Sequence, residues 1–136
     1  MLNLEVITPS GSVLSAQVEQ VTAPGAEGEF QVLPAHLPAL VILGGGKLSY
    51  TVKGESKALY LRGGVAEVSH GTDNPEDGSV LILAEETQTT ETLDKDRAQA
   101  LKENSEAALS KAEYMTDSKL ARIRQDLDFA NAILSA

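Results

Sequence analysis

The sequence has no cysteine and no tryptophan. Without thiols there can be no disulfide, no thiolate nucleophile and no cysteine-ligated zinc. Aromatic residues make up 4% of the chain, too few to build a platform for stacking sugars or bases. Basic residues are also scarce, with 11 Lys and Arg against 20 Asp and Glu for a formal net charge of −9. A nucleic-acid or anionic-lipid surface needs clustered positive charge, so neither is expected. The longest apolar run, Leu37 to Leu43, contains Pro38 and is far too short to span a bilayer. The first residues, M-L-N-L-E-V-I-T, lack a basic region followed by a long apolar stretch, so no signal peptide is expected. Any membrane connection is therefore expected to run through a partner.

What is present suffices for one domain with a small appendage: 136 residues, 42% of them apolar. Its punctuation is uneven. All 11 glycines and all five prolines lie before residue 79. In that first part apolar residues alternate with polar ones, the period of a half-buried strand, at Leu2, Leu4 and Val6, at Leu14, Ala16 and Val18, and at Leu48, Tyr50 and Val52. Val21 and Ala23 continue out of phase, which predicts a bulge near Glu19 or Gln20. Thr8-Pro9-Ser10-Gly11 and Lys53-Gly54 are turn signals. Gly44-Gly45-Gly46 reads as a further turn, and Gly63-Gly64 as a break between a strand over Ser56 to Leu61 and another over Val65 to Ser69. Val80 to Ala84 is apolar on both faces, which predicts a strand covered on both sides. Strands this short with frequent turns indicate an antiparallel sandwich or barrel.

The composition changes after the last apolar strand. Residues 84–92, A-E-E-T-Q-T-T-E-T, read as a polar tether, and beyond Leu93 Ala, Leu, Lys, Glu and Asp dominate. Thr92 is a candidate helix cap, and Ala98, Leu101, Ser105, Ala108, Ala112 and Met115 recur at helical spacing. Thr116-Asp117-Ser118 breaks and recaps the helix, and Leu120, Ile123, Leu127, Ala130 and Leu134 form the stripe of a second one. The division expected is residues 1–86 as sandwich and 87–136 as tether plus antiparallel hairpin. Because the first helix offers mostly Ala and Ser, its packing should be weak, the property a movable element needs.

No catalytic constellation emerges. His36 and His70 stand in loops without a nucleophile or acid at a productive spacing. The acidic stretch Asp73 to Gly78 fails the calcium-loop pattern, with Pro75 at a ligand position and Ala84 where Glu is needed. Glu85-Glu86 reads either as a solvated strand end or as a pair that anchors the tether. Lys119, Arg122 and Arg124 read either as a solvated face or as a dock for an acidic partner. On residues alone the chain is a non-enzymatic β-sandwich module with a helical hairpin. The alternative to a subunit of a larger assembly is a stand-alone ligand-binding module with a dimerising hairpin.

Several stretches narrow the choice. Gly25-x-x-Gly28-Glu29-Phe30-x-Val32-Leu33-Pro34-x-His36-x-Pro38 resembles the signature of the epsilon subunit family of F-type ATP synthases, called delta in mitochondria. V-I-T-P-S-G near the start, Gly63-Gly64-Val65-Ala66-Glu67-Val68 (Val65 replacing the usual Phe), V-L-I-L-A-E-E, and Leu93-Asp94-x-x-Arg97-Ala98 follow in family order. The resemblance implies a ten-stranded sandwich and a two-helix hairpin. It implies a place in the central stalk, bound to the gamma subunit and the ring of c subunits and coupling proton flow to ATP synthesis, peripheral on the cytoplasmic face of a bacterial plasma membrane. Gly25, Gly28, Pro34, His36 and Pro38 would lie on the side facing gamma and the c-ring. The hairpin would reach toward the catalytic alpha and beta subunits and inhibit ATP hydrolysis, with Lys119, Arg122 and Arg124 meeting an acidic loop of beta. No cofactor is implied beyond ATP as a regulatory ligand, whose contacts would be Asp94, Arg97 and Ala98. Asn104, Asp128 and Ala132 stand where further basic residues would be expected.

Overall fold

The computed structural model describes residues 1–71, 73–74, 77–111 and 115–136. Seven strands are hydrogen-bonded in the order β2-β1-β7-β6-β5-β3-β4. They are β1 (Leu2–Thr8), β2 (Gly11–Val18), β3 (Gln20–Gly25), β4 (Gly28–Val32), β5 (Ala39–Val52), β6 (Glu55–His70) and β7 (Gly78–Thr89). Two helices follow, α1 (Lys95–Leu109) and α2 (Asp117–Leu134). The fold class is the one read from the sequence, a β-sandwich followed by a helical hairpin.

The strand count differs from the expected ten for a physical reason. Strands β5, β6 and β7 are long, with 14, 16 and 12 residues, and each serves both layers. Burial along β6 shows how. Its core residues are Leu59 and Leu61 in the first half but Ala66 and Val68 in the second. In β5 they are Leu48 and Tyr50, but Leu43 further up. Side chains alternate with a period of two, so a change from odd to even positions moves the core to the other face of the strand. The switches fall at Gly44-Gly45-Gly46 and Gly63-Gly64. These glycines are therefore not the turn and the break that were expected; they lie inside β5 and β6, where the sheet changes its buried face. One apolar cluster results, joining Leu2, Leu4 and Val6 of β1 to Leu48 and Leu61 of the opposite layer.

Other expectations are corrected at the ends of elements. The phase change near Glu19 is a corner between β2 and β3, fixed by a bond from the Glu19 N–H to the Thr51 carbonyl at 2.8 Å. The sheet is not wholly antiparallel, because β1 pairs in parallel with β7; the chain between them is long enough for such a crossover. Only one face of the Val80–Ala84 stretch is covered: Val80, Ile82 and Ala84 are buried while Leu83 is exposed. Residues 84–89 are strand rather than tether, since β7 continues through Thr89 against Leu59 of β6. The cap of α1 is Asp94, whose carboxylate accepts from the Arg97 N–H at 2.9 Å; the Thr92 hydroxyl accepts instead from the Thr89 N–H. Turns at Thr8–Gly11 and Lys53–Gly54 form as read, the latter with φ of 51° and 78° at its two residues. Thr116 caps α2. Ala112 of the first helical stripe, and Pro75 and Glu76 of the acidic stretch, lie outside the described residues.

Gly64 has φ +122°, and a Cβ there would lie 1.9 Å from the Leu83 carbonyl oxygen. Gly64→Ala therefore forces both strain and a backbone clash, and it should destabilise the sandwich by more than about 3 kcal/mol, measured by urea unfolding.

Candidate functional site

The glycine switches create the floor on which the hairpin sits. The face of β7 that enters the core at Val80, Ile82 and Ala84 continues outside it at Glu86 and Gln88. Cross-strand pairing sets two rows there, Gly45–Arg62–Glu86 and Lys47–Tyr60–Gln88. Helix α2 packs on β5 and β6, and α1 packs on α2. The apolar part of this contact is small: Tyr60, Ala98, Phe129, Ala130 and Ile133 are its buried members. Phe129 and Ile133 were not in the expected stripe of α2. That stripe, spaced three and four apart, traces one face, whereas α2 packs against both the sheet and α1.

Charge reinforces the contact. Arg62 donates from Nε to Asp126 of α2 at 2.7 Å and from Nη1 to Glu86 at 3.1 Å. Arg97 of α1 clasps Glu86 with both terminal nitrogens, Nη2 at 2.8 Å from Oε1 and Nη1 on Oε2. The Asp94 N–H donates to Gln88 Oε1 at 2.9 Å, and Lys95 Nζ reaches the Ala136 carbonyl at 2.9 Å. Glu86 is thus shared between two guanidiniums. Hydrogen bonds from Arg97 hold its carboxyl below the ordinary 4.5 against its partial burial, and Arg62 adds to the effect. Of the two readings of Glu85-Glu86, the anchoring pair is the one formed. Glu85 also meets Arg122, at 3.4 Å.

The residues that the resemblance marked for ATP fall in this clasp. Asp94 is the helix cap, Arg97 is committed to Glu86, and Ala98 is buried in the hairpin core. Lys119, Arg122 and Arg124 project from the exposed surface of α2. Asp128, four residues beyond Arg124, has its carboxyl pushed up by burial while Arg124 pulls it back.

The opposite face of the upper sheet is open. Ile42, Val65 and Leu83 pair across β5, β6 and β7, with Leu40, Glu67 and Leu81 in the next row. Leu40, Ile42 and Leu83 are 71%, 61% and 48% exposed, and Leu37 in the preceding loop is 75% exposed. This apolar face escaped the sequence reading because the strand seemed covered on both sides. The loop beside it carries several residues marked for partner contact. Gly25 and Gly28 close the β3–β4 hairpin. Pro34 and Pro38 flank His36, whose N–H donates to the Leu33 carbonyl at 3.1 Å and whose Nδ1 lies 2.6 Å from the Leu37 carbonyl. Among the described residues no three His, Asp or Glu converge as metal ligands, and no helix is long and apolar enough to cross a membrane.

A sandwich with one open apolar face and a hairpin clasped to its outside defines a two-part module. The family model for the ATP synthase Delta/Epsilon chain β-sandwich domain matches residues 1–88. The ATP synthase epsilon chain of Nitratidesulfovibrio vulgaris (strain DP4) is 40% identical over 131 residues, 96% of this chain and 84% of that one. That of Geobacter sulfurreducens (strain ATCC 51573 / DSM 12127 / PCA) is 39% identical over 110 residues, covering 81% and 75%. A chain in the cryo-EM structure of the Euglena gracilis mitochondrial ATP synthase, OSCP/F1/c-ring in rotational state 1, shares the fold with a TM-score of 0.68 at 23% identity, over 97% of this chain and 78% of that one. The chain belongs to the ATP synthase delta/epsilon family.

Two consequences of the clasp are measurable. Arg62 is the more enclosed arginine, with 21% of its side chain exposed against 50% for Arg97. Arg62→Met strands Asp126 and leaves Glu86 to Arg97 alone, and it should cost about 2 kcal/mol, between a surface and a buried pair, while Arg97→Met should cost under about 1 kcal/mol, both read by thermal unfolding. Because the folded-state pKa of Glu86 is depressed, its stabilisation is present above the unfolded value of 4.5 and is lost as pH falls through the lower folded value. Glu86→Gln should remove that part of the acid dependence of hairpin protection, followed by hydrogen exchange.

Proposed function

We propose that this chain is a central-stalk rotor subunit of a rotary, proton-driven ATP synthase, held between the gamma subunit and the ring of c subunits. The observation that carries the reading is the continuous apolar face of Leu40, Ile42, Val65 and Leu83, extended by the loop that bears Leu33, Leu37 and His36. Exposed apolar surface of this kind marks a protein interface, and the net charge of −9 argues against lipid or nucleic acid as its occupant. The backbone shape set by Gly25, Gly28, Pro34 and Pro38 presents that loop. The chain supplies contacts and torque transfer; it performs no chemistry of its own. Its membrane association is peripheral, through the assembly, at the cytoplasmic face in a bacterial cell.

The hairpin is the regulatory part. Its docking rests on a small apolar contact, the Glu86 clasp and the exposed Glu85–Arg122 pair, so release costs little relative to unfolding the sandwich. Released, it carries Lys119, Arg122 and Arg124 toward the acidic surface of a catalytic beta subunit and slows ATP hydrolysis. ATP as a ligand of the docked hairpin would have to take Arg97 from Glu86.

Two outcomes test this reading. Ile42→Glu should abolish recovery of the gamma subunit with tagged chain while the chain itself stays folded by circular dichroism; undiminished recovery would sink the docking face. Ending the chain after Thr90, past the last strand, should keep the enzyme assembled and raise its ATP hydrolysis rate. An unchanged rate would remove the inhibitory role.

A further inference from the structure

We propose that docking of the hairpin is decided at one point of its seam by two opposed residues, Gly45 and Gln125. A Cβ at Gly45 would lie 2.0 Å from the Gln125 carbonyl oxygen and 2.7 Å from the Phe129 nitrogen. Both are backbone atoms of α2, so no change of rotamer relieves the clash. Gly45 has no positive φ. The strand itself therefore tolerates an alanine, and only the docked helix forbids it. Gly63 is different: its φ is +67°, and the atoms nearest a Cβ there belong to the Gln125 side chain, so a substitution would strain the sheet as well.

Gln125 acts in the other direction. Its Nε2 is buried and has no acceptor among the described residues. A buried donor without a partner favours the state in which water can reach it. The seam thus holds the Gly45 approach, Phe129, Ile133 and the Arg62–Asp126 pair on the side of docking, and the Gln125 amide against it. A single substitution at either residue shifts the balance without touching the sandwich core. This deepens the regulatory reading of the hairpin and relies on it only for the consequence, because docking is measurable in the full chain alone.

Hydrogen exchange on the full chain tests the assignment. An undocked hairpin loses protection because helices of this length are marginal in water. In Gly45→Ala the amides of residues 95–109 and 117–134 should exchange faster by on the order of tenfold or more, with those of β1 and the upper halves of β6 and β7 within about twofold of the parent. Gln125→Met keeps the length of the side chain and removes the stranded donor. It should slow hairpin exchange by roughly tenfold. Unchanged hairpin protection in Gly45→Ala, or equal losses in sandwich and hairpin, would overturn the role of Gly45. Unchanged or faster exchange in Gln125→Met would overturn that of Gln125, and this variant does not depend on the sheet accepting a new side chain. Regulation is read separately. If Gly45→Ala frees the hairpin in the isolated chain while the assembled enzyme hydrolyses ATP at the parent rate, the docking assignment stands and the inhibitory role falls.

Discussion

The missing side chains in the middle of β5 and β6 are the constraint on which the rest of the structure depends. A strand that buries one face along its whole length can serve only one layer. Where β5 and β6 pass through Gly44-Gly45-Gly46 and Gly63-Gly64, the buried face changes from one set of alternating residues to the other. One sheet thereby closes into a sandwich around a shared core. The same glycines bring backbone close to backbone, at Gly64 against β7 and at Gly45 against α2. Sandwich closure and hairpin docking are thus two results of one local property.

The change of face also divides the surface into two sites of different chemistry. Above the switch the outward face carries Leu40, Ile42, Val65 and Leu83 and stays open. Below it the outward face carries Arg62, Glu86 and Gln88 and is covered by the hairpin. The open face is mostly apolar, with the exposed Glu67 in its second row, and is suited to a lasting partner contact. The covered face is held by ion pairs over a small apolar patch, suited to a contact that opens and closes. Glu86 joins the parts of the covered site, since it binds Arg62 of the sheet and Arg97 of α1 at once, while Arg62 also holds Asp126 of α2.

Much of this was legible beforehand, and the failures share a cause. Lys53-Gly54 and Thr8–Gly11 declared their turns because their chemistry is local. Thr116 declared a cap for the same reason, and the loss of glycine and proline after residue 78 announced the helices. The glycine runs at 44–46 and 63–64 misled because the usual local meaning of Gly is a turn, while here a distant helix and a neighbouring strand require it. Thr92 and Asp94 are both competent caps, and the tertiary bond from the Asp94 N–H to Gln88 accompanies the choice of Asp94. Leu83 seemed buried because an apolar residue in an apolar strand gives no sign of which face lacks a neighbour.

By itself the sequence determined the order of the main elements, the turns at Thr8–Gly11 and Lys53–Gly54, the composition break between sandwich and hairpin, and the absence of thiol chemistry. Each of these follows from residues close together in the chain or from composition. Tertiary structure alone decided that three strands span both layers, that the open face is the one bearing Ile42 and Leu83, and that Arg62, Glu86, Arg97 and Asp126 meet. Those outcomes depend on pairing between segments tens of residues apart, where a shift of one position would turn every side chain to the opposite face.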